Sequence, residues 1–161
     1  MEIRTAGTED IAALTAVEAE CFPPAEAATA QEFVERVRYY GNHFWLLYEG
    51  NKLISFVDGF VTDEADLTDE MYENAAMHNE DGAWQMIFGV NTLPEYRKHG
   101  YAGQLLRRAI DAARQQHRKG LVLPCKERLL PYYAHFGFRA EGESDKSPRG
   151  NVVWHQMRLT F

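Results

Sequence analysis

The sequence contains few cysteines and no long apolar run. Only two of its 161 residues are cysteines, Cys21 and Cys125, and their separation matches neither a zinc-binding spacing nor a disulfide framework. No apolar stretch reaches about eighteen residues, and the first residues lack the basic, apolar and small-residue regions of a signal peptide. These absences exclude a disulfide-stabilised scaffold. They favour a cytoplasmic protein without a membrane span and without a structural metal.

Basic side chains are scarce in the first part of the chain. Lysine and arginine total 17 and aspartate and glutamate 24, for a formal net charge of −7. Residues 1–96 hold 4 of the basic and 19 of the acidic side chains, which leaves 13 basic and 5 acidic ones for residues 97–161. The overall charge argues against a general nucleic-acid partner. The second part suits a polyanionic ligand, and the first suits a cation.

The length and apolar content predict one domain over residues 1–161. Its first half predicts a strand, two helices and a hairpin whose strands run from His43 to Glu49 and from Leu53 to Thr62. Thr29 and Glu32 form a capping-box pattern at the start of the second helix. Residues 62–81 then hold eight acidic residues and no basic one. This acidic segment is either a solvated loop or a rim that attracts a cationic amine.

The second half alternates strands and helices. A strand from Ala83 to Val90 precedes a helix with buried positions at Leu105 and Ile110, and a polar loop from Glu143 to Asn151 precedes the last strand. The alternation implies parallel pairing and the hairpin implies antiparallel pairing. We therefore expect an α/β fold with a mixed central sheet of about six to seven strands and helices on both faces.

A glycine-containing turn joins the strand ending at Val90 to the helix that follows. Gly100 lets backbone N–H groups approach an anion, and the helix adds the positive end of its dipole. The turn suits a pyrophosphate, whereas the P-loop pattern of nucleotide triphosphate sites is absent. The residues that form it are Arg97, Lys98, His99, Gly100, Tyr101, Ala102 and Gly103.

A phenol follows about thirty residues later. Tyr133 lies in the segment from Pro131 to Phe138, where its hydroxyl could serve as an acid. Its neighbour Tyr132 would point about 100° away on a helix, so only one of the two can face a given site. Taken alone, such a tyrosine is more typical of a core residue with a hydrogen-bonded hydroxyl than of a catalytic acid.

At these residues the sequence resembles the GNAT superfamily of acyl-CoA-dependent N-acetyltransferases. The cofactor loop is matched by Arg97-x-x-Gly100-x-Ala102 and the late tyrosine by Tyr133. Within the superfamily, the chain is most similar to the serotonin (arylalkylamine) N-acetyltransferase branch. That similarity depends on the run from Cys125 to Tyr133 and on the proline-containing segment from Glu20 to Pro24.

The resemblance implies a GNAT-like fold with acetyl-CoA as cosubstrate. The strands before and after the cofactor helix would splay apart, with the pantetheine arm between them along Phe88, Gly89 and Val90. Arginine and lysine side chains would neutralise the phosphates, and Tyr133 would protonate the leaving sulfur. The acceptor would be a small primary amine, with aromatic amines included, and it would attack the thioester directly. Whether the chain forms a homodimer is a question that the sequence leaves open. The candidates for the phosphates are Arg97, Lys98, Arg107, Arg108 and Lys126.

The general base is the point of departure from the serotonin branch. That branch has two histidines on the strand before the cofactor turn, whereas this chain has Ala83-Trp84-Gln85-Met86-Ile87. Three alternatives follow: an acidic residue acting through water, His78 reaching in from the acidic segment, or an amine that arrives deprotonated in a desolvated pocket. The acidic candidates are Asp58, Glu64 and Glu80.

Two other functions compete with acetyl transfer. Cys125 could act as a nucleophile with one of the six histidines, although the apolar run before it favours a buried strand end. A non-catalytic acyl-CoA sensor or partner-binding domain of the same fold is the other alternative. The aromatic side chains that could line an acceptor pocket, with two prolines, are Phe22, Pro23, Pro24, Phe44, Trp45, Phe56 and Trp84.

Overall fold

The computed structural model describes residues 1–144 and 152–161, so most of the polar loop predicted from Glu143 to Asn151 lies outside the described residues. The helices are α1 (Ile11–Cys21), α2 (Ala30–Tyr40), α3 (Asp69–Glu73), α4 (Tyr101–Gln115) and α5 (Leu130–Ala134). The strands are β1 (Glu2–Arg4), β2 (Phe44–Glu49), β3 (Lys52–Asp58), β4 (Val61–Thr62), β5 (Trp84–Met86), β6 (Gly89–Thr92), β7 (Gly120–Cys125), β8 (Arg139–Glu143) and β9 (His155–Thr160). Among the described residues, no helix has the length and hydrophobicity that crossing a membrane requires.

The strands form two sheets. One has four strands in the order β1-β2-β3-β6, and the other has five in the order β4-β5-β7-β9-β8. β5 and β7 pair in parallel, while the pairs of the first sheet are antiparallel. The mixed α/β architecture is confirmed. The described strands number nine in two sheets, however, rather than the predicted six to seven in one.

The extra strands arise because two predicted strands are each broken. The strand predicted from Leu53 to Thr62 divides into β3 and β4, and the one predicted from Ala83 to Val90 divides into β5 and β6. Gly59 lies at the first break, where an added Cβ would fall 1.8 Å from the Met86 carbonyl oxygen. Only glycine permits so close an approach between the two breaks.

The buried Gln85 side chain holds the two breaks together. Its amide nitrogen donates to the carbonyl oxygens of Gly59, Phe60 and Met86 at 2.8, 3.2 and 2.8 Å. These bonds satisfy carbonyl groups that a continuous sheet ladder would otherwise satisfy. Gln85, which lies in the segment where the serotonin branch has its two histidines, therefore has a structural role.

Beyond Ile87 the two sheets diverge. The Ile87 amide still donates to the Val122 carbonyl in β7 at 2.8 Å, whereas the Phe88 amide donates to the Asp58 carbonyl in β3 at 2.7 Å. From this point β6 is an edge strand of the first sheet and β7 continues in the second. The gap between them is the splay that the sequence resemblance implies.

Candidate active site

The turn before α4 has two residues in the left-handed region. Lys98 has φ 68° and Gly100 has φ 79° with ψ 13°. Left-handed residues within a turn direct successive N–H groups into one concavity, which is a shape that binds anions. Nothing lies within 4 Å of the position a Gly100 Cβ would take, so conformation rather than space explains the glycine. Arg97 fixes the turn to the end of β6, since its Nε donates to the Thr92 carbonyl at 3.1 Å.

Two cavities lie between this turn and the gap between the sheets. The larger, which we name the outer groove, measures about 490 Å³ and is lined by Cys21, Phe22, Val90, Thr92, Tyr96, Arg97, Lys98, Gly100, Tyr101, Ala102, Arg128, Leu129, Tyr132 and Tyr133. The smaller, the inner cavity, measures about 110 Å³ and is lined by Glu18, Cys21, Phe22, Tyr72, Ile87, Phe88, Val90, Pro124, Cys125, Lys126, Arg128, Leu129, Tyr133 and Trp154. Shared lining residues, Tyr133 and Val90 among them, make the two cavities adjacent.

Most of the predicted site residues line one of these cavities. The residues in the outer groove are Val90, Arg97, Lys98, Gly100, Tyr101, Ala102 and Tyr133; those in the inner cavity are Phe88, Val90, Lys126 and Tyr133. Lys126 pairs with Glu26 at 2.9 Å and lies away from the turn. Of the aromatic residues predicted around the acceptor, Phe22 lines both cavities, whereas Phe44 and Phe56 are core residues.

Five predicted cofactor residues line neither cavity. Two of them are Arg108 and Arg107, whose guanidinium lies 5.0 Å from the Phe136 ring. His99 is exposed, and its ring lies 5.6 Å from that of Tyr101. Gly103 lets α4 pack closely on Phe136, whose ring atom would lie 3.3 Å from an added Cβ. Gly89 lies in β6, where a Cβ would fall 2.8 Å from Asp58 Oδ1. Gly103 and Gly89 therefore permit close packing.

Tyr133 lies where the two cavities meet. It is 5% exposed, and its ring packs edge-on against Tyr132 and Phe138 at 5.0 and 6.3 Å. Burial, with smaller contributions from Tyr132 and Cys125, raises the pKa of Tyr133 far above its ordinary value, so the phenol keeps its proton. Tyr132 is 40% exposed, and it lines the outer groove but not the inner cavity. Of the two neighbours, Tyr133 is the one that reaches the inner cavity.

The inner cavity also contains the Cys125 side chain, at the end of β7. Burial raises the pKa of this thiol to about 11. A thiol of that pKa is almost entirely protonated at neutral pH, and the thiolate is the nucleophilic form. The environment of Cys125 therefore disfavours the thiol-nucleophile alternative.

None of the four predicted base candidates lines either cavity. Asp58 is buried, with its Oδ2 3.2 Å from Arg36 Nη1. Glu64 is exposed. Glu80 and His78 belong to a separate network with His43 and Arg118. His155 lies at the start of β9 and is half-buried.

Glu80 is the centre of that network. His43 Nε2 lies 2.9 and 3.0 Å from its two carboxylate oxygens, His78 Nε2 lies 3.0 Å from Oε1, and Arg118 Nη2 donates to Oε2 at 3.1 Å. The Val61 amide donates to His78 Nδ1, so the proton of a neutral His78 ring is on Nε2. His43, His78 and Glu80 offer three ligand atoms within 4.8 Å of one another. The Val61 amide and the Arg118 guanidinium favour protons over a metal ion there.

We expect Glu80 to stabilise the fold down to acid pH. Burial opposes its ionisation, but hydrogen bonds and charge from His43, with a hydrogen bond from His78, lower the pKa of Glu80 from 4.5 to about 2. A carboxyl whose pKa falls on folding contributes stability above its unfolded pKa and loses it as the pH drops. The contribution should therefore be complete above about pH 4.5 and vanish towards pH 2.

Urea unfolding of Glu80→Gln across pH checks this expectation. The Glu80 side chain is 52% exposed, so we expect a modest loss of about 1–2 kcal/mol at pH 7, and a loss that shrinks steeply towards zero as the pH falls to about 2. Glu70→Gln, an exposed position in the same acidic segment, should change stability by less than about 0.5 kcal/mol. A Glu80→Gln loss that persisted unchanged at pH 2 would contradict the assignment.

The residue that the sequence prediction missed is Glu18. It lies in the last turns of α1, is 6% exposed and lines the inner cavity. Its Oε2 accepts a hydrogen bond from the Ala28 amide at 2.9 Å. The signal was present in the helical spacing, since Glu18 follows Leu14 by four residues on the buried face. A carboxylate on the buried face of a helix is uncommon unless it is paired.

Comparison with known protein families gives one match over most of the chain. The family described as Acetyltransferase (GNAT) family matches residues 11–138. The matched region includes the turn, the strands that flank the gap, and Tyr133.

Solved structures give the same fold. The loading GNATL domain of CurA from Lyngbya majuscula superimposes with a TM-score of 0.85 at 16% identity, covering 99% of this chain and 96% of its own. The GphF GNAT-like decarboxylase in complex with isobutyryl-CoA gives 0.81 at 19% identity, covering 99% of each chain. The ribosomal-protein-S18-alanine N-acetyltransferase from Escherichia coli gives 0.73 at 17% identity, covering 99% of this chain and 92% of its own. Identities this low establish the fold alone.

Proposed function

The chain belongs to the Acetyltransferase (GNAT) family, and from that premise we propose that it transfers an acetyl group from acetyl-CoA to a small primary amine. Members of this family are generally acyl-CoA-dependent N-acyltransferases. The observation that carries the proposal is the continuity of the site. An anion-binding turn, the outer groove and the inner cavity follow one another, with Tyr133 at the junction of the two cavities.

The turn and the groove would hold the carrier. The amides around Lys98 and Gly100, with the N-terminus of α4, would bind the diphosphate, and the Arg97 and Lys98 side chains would add positive charge. The pantetheine arm would follow the edge of β6. The Leu93 amide donates to the Ile54 carbonyl in β3, so by the alternation of antiparallel ladders the Val90 amide faces the gap. Val90 would then be a hydrogen-bond donor to the acyl or pantetheine group.

The chemistry would be direct attack. The neutral amine nitrogen forms a bond to the thioester carbonyl carbon and gives up one N–H proton to solvent water. The C–S bond breaks, and the sulfur leaves as a thiolate that needs a proton. Tyr133 is protonated and lines the cavity, so its hydroxyl would hydrogen-bond to the sulfur and supply that proton. Cys125, with its raised pKa, takes no part as a nucleophile in this scheme.

Incubating the purified chain with acetyl-CoA and a panel of amines tests the proposal. We expect amine-dependent release of free thiol together with the acetylated amine, detected by mass spectrometry. Arylalkylamines belong in the panel, because they test the resemblance to the serotonin branch. Binding of acetyl-CoA without turnover would favour the non-catalytic acyl-CoA sensor. Carbon dioxide release from malonyl-CoA without amine would favour a decarboxylase, the activity named for the similar GphF structure.

We expect Gly100→Val to weaken acetyl-CoA binding at least about tenfold, which is about 1.4 kcal/mol. A β-branched residue tolerates φ 79° poorly, so the turn would lose the conformation that directs its amides at an anion. Isothermal titration calorimetry measures the effect.

Gly50→Val is the matched control for that variant. Gly50 also has a left-handed φ, 60°, with nothing within 4 Å of its Cβ position, but it lies in the turn between β2 and β3. We expect both variants to lose similar stability and only Gly100→Val to lose affinity. Equal affinity of the two variants for acetyl-CoA would refute the assignment of the turn.

A further inference from the structure

A buried histidine, His43, contacts the place where the two predicted strands break. It lies directly before β2 and is 1% exposed. Its Nδ1 lies 2.9 Å from Oε1 of Gln85, the side chain that holds the two breaks together. Its backbone carbonyl also accepts a hydrogen bond from the Gly59 amide at 3.3 Å. His43 is therefore joined to the first break through its backbone and to Gln85 through its ring.

The orientation of the Gln85 amide determines the protonation of one ring nitrogen of His43. The Gln85 amide nitrogen faces three carbonyl oxygens, and carbonyl oxygens only accept hydrogen bonds. Turning the amide over would place the Gln85 oxygen against those three acceptors, so the amide has one stable orientation. In that orientation an oxygen faces His43, and Nδ1 must carry a proton to donate to it.

The second ring nitrogen of His43 faces the Glu80 carboxylate. Nε2 lies 2.9 and 3.0 Å from the two carboxylate oxygens. Because the pKa of Glu80 is lowered to about 2, this carboxyl group is ionised at neutral pH and only accepts hydrogen bonds. An unprotonated Nε2 would direct its lone pair at these two oxygens. Both ring nitrogens therefore face acceptors, and both contacts are satisfied only when the ring is an imidazolium ion.

The neighbours of His43 agree with a positive charge on this ring. His78 accepts the Val61 amide at Nδ1 and lies 3.0 Å from Glu80 through Nε2, so it needs only the one proton of a neutral ring. Burial lowers the pKa of His78; its hydrogen bond to Glu80 opposes this change, and charge on His43 adds to it. Arg118 is a second cation, and it donates to Glu80 and to two backbone carbonyl oxygens.

We propose that His43 is a doubly protonated positioning residue for the gap between the sheets, a role that rests on the proposed acetyl transfer. One of its protons holds Gln85, and the other holds the Glu80 carboxylate. Gln85 in turn fixes the break beyond which the sheets diverge and β6 brings Phe88 and Val90 to the inner cavity. Without the Nδ1 proton, the buried Gln85 oxygen loses this donor, and the amide is no longer held against the carbonyl groups of the break.

Nitrogen-15 NMR of the histidine rings tests the protonation in the unmodified chain. At about pH 7.5, where free histidine is mostly neutral, we expect both His43 nitrogens to show the chemical shift of protonated nitrogen. The His43 signals are assigned by their loss in a His43→Asn variant. In Glu80→Gln we expect Nε2 of His43 to lose its proton, while Nδ1 keeps its proton for Gln85. An unprotonated Nε2 in the unmodified chain, or an unprotonated Nδ1 in either protein, would overturn the proposal.

Two amide substitutions at His43 separate the two contacts. The side-chain nitrogen of asparagine lies as many bonds from Cα as Nδ1, and that of glutamine as many as Nε2. His43→Asn therefore retains a donor for Gln85, whereas His43→Gln retains one for Glu80 only. We expect both variants to lose stability. His43→Asn should keep kcat and the Kd for acetyl-CoA within about threefold, whereas His43→Gln should lower kcat at least about tenfold and raise the Kd at least about fivefold.

The order of these two variants decides the proposal. A role in stability alone would make the losses in kcat and affinity follow the melting temperatures; equal losses, or a larger loss in His43→Asn, would overturn the positioning role. Isothermal titration calorimetry measures the affinity for acetyl-CoA without turnover. Absence of acetyl transfer in the unmodified chain would overturn the proposed function, whereas the NMR and affinity results would still decide the role of His43.

Discussion

Replacing Tyr133 with phenylalanine is expected to lower kcat for acetyl transfer by about 100- to 1,000-fold. The hydroxyl is the group that would protonate the leaving sulfur, and burial raises its pKa, so it carries its proton at neutral pH. The ring packing against Tyr132 and Phe138 does not depend on the hydroxyl. Stability and the affinity for acetyl-CoA should therefore change little.

Tyr132→Phe is the matched control for this experiment. The two tyrosines are adjacent in sequence, but Tyr132 lines only the outer groove of the two cavities. Stopped-flow or steady-state thiol release, measured for both variants at saturating acetyl-CoA, should show a large loss for Tyr133→Phe and less than about a threefold loss for Tyr132→Phe. Comparable losses for the two variants, or an unchanged kcat for Tyr133→Phe, would remove Tyr133 from the mechanism.

Local sequence signals predicted the helices and the turn well. Thr29 and Glu32 form the predicted capping box, with the Glu32 amide donating to Thr29 Oγ1 and the Thr29 amide donating to Glu32 Oε1. Gly100 begins α4 as expected, in a left-handed conformation. These features depend on residues three or four positions apart, so a single sequence is sufficient to identify them.

The breaks in the two predicted strands were missed. The dipeptide Asp58-Gly59 at the first break is typical of a turn, but it lies within an apolar run that was predicted as one strand, and Ile87-Phe88 at the second break contains no such signal. The break is maintained by Gln85, whose amide reaches carbonyl groups 25 and 26 residues away in sequence. A long-range contact of a polar side chain leaves no periodic pattern, and the two apolar runs were therefore each predicted as one strand.

In the candidate site, too, local motifs were predicted and features that depend on tertiary contacts were missed. The turn and Tyr133 were identified from motifs, whereas Glu18 was missed because its place in the wall of the inner cavity depends on how β6, β7 and α1 come together. Asp58 was a reasonable candidate base from residue type alone. Its pairing with Arg36, 22 residues away, is a tertiary contact that no local sequence pattern indicates.

That pairing carries the largest expected effect on stability. Arg36→Met should lower the free energy of unfolding by about 3–5 kcal/mol, because the buried Asp58 carboxylate loses its guanidinium partner. Arg36 Nη2 also donates to the Tyr72 carbonyl at 3.1 Å, and the guanidinium lies 5.5 Å from the rings of Phe33 and Phe88. Methionine replaces part of the ring packing but none of these donors.

A double-mutant cycle measured by urea unfolding separates the ion pair from the packing. Asp58→Asn alone leaves a buried guanidinium without its carboxylate, whereas the double variant Arg36→Met/Asp58→Asn leaves neither charge uncompensated in this pair. The double variant should therefore be destabilised by clearly less than the sum of the single variants, with a coupling of about 1–3 kcal/mol. Arg38→Met, at an exposed position two residues further along α2, should lower the free energy of unfolding by less than about 0.5 kcal/mol. Additive losses would mean that the 3.2 Å contact contributes nothing specific, and that Arg36 stabilises the fold through its packing and its bond to Tyr72.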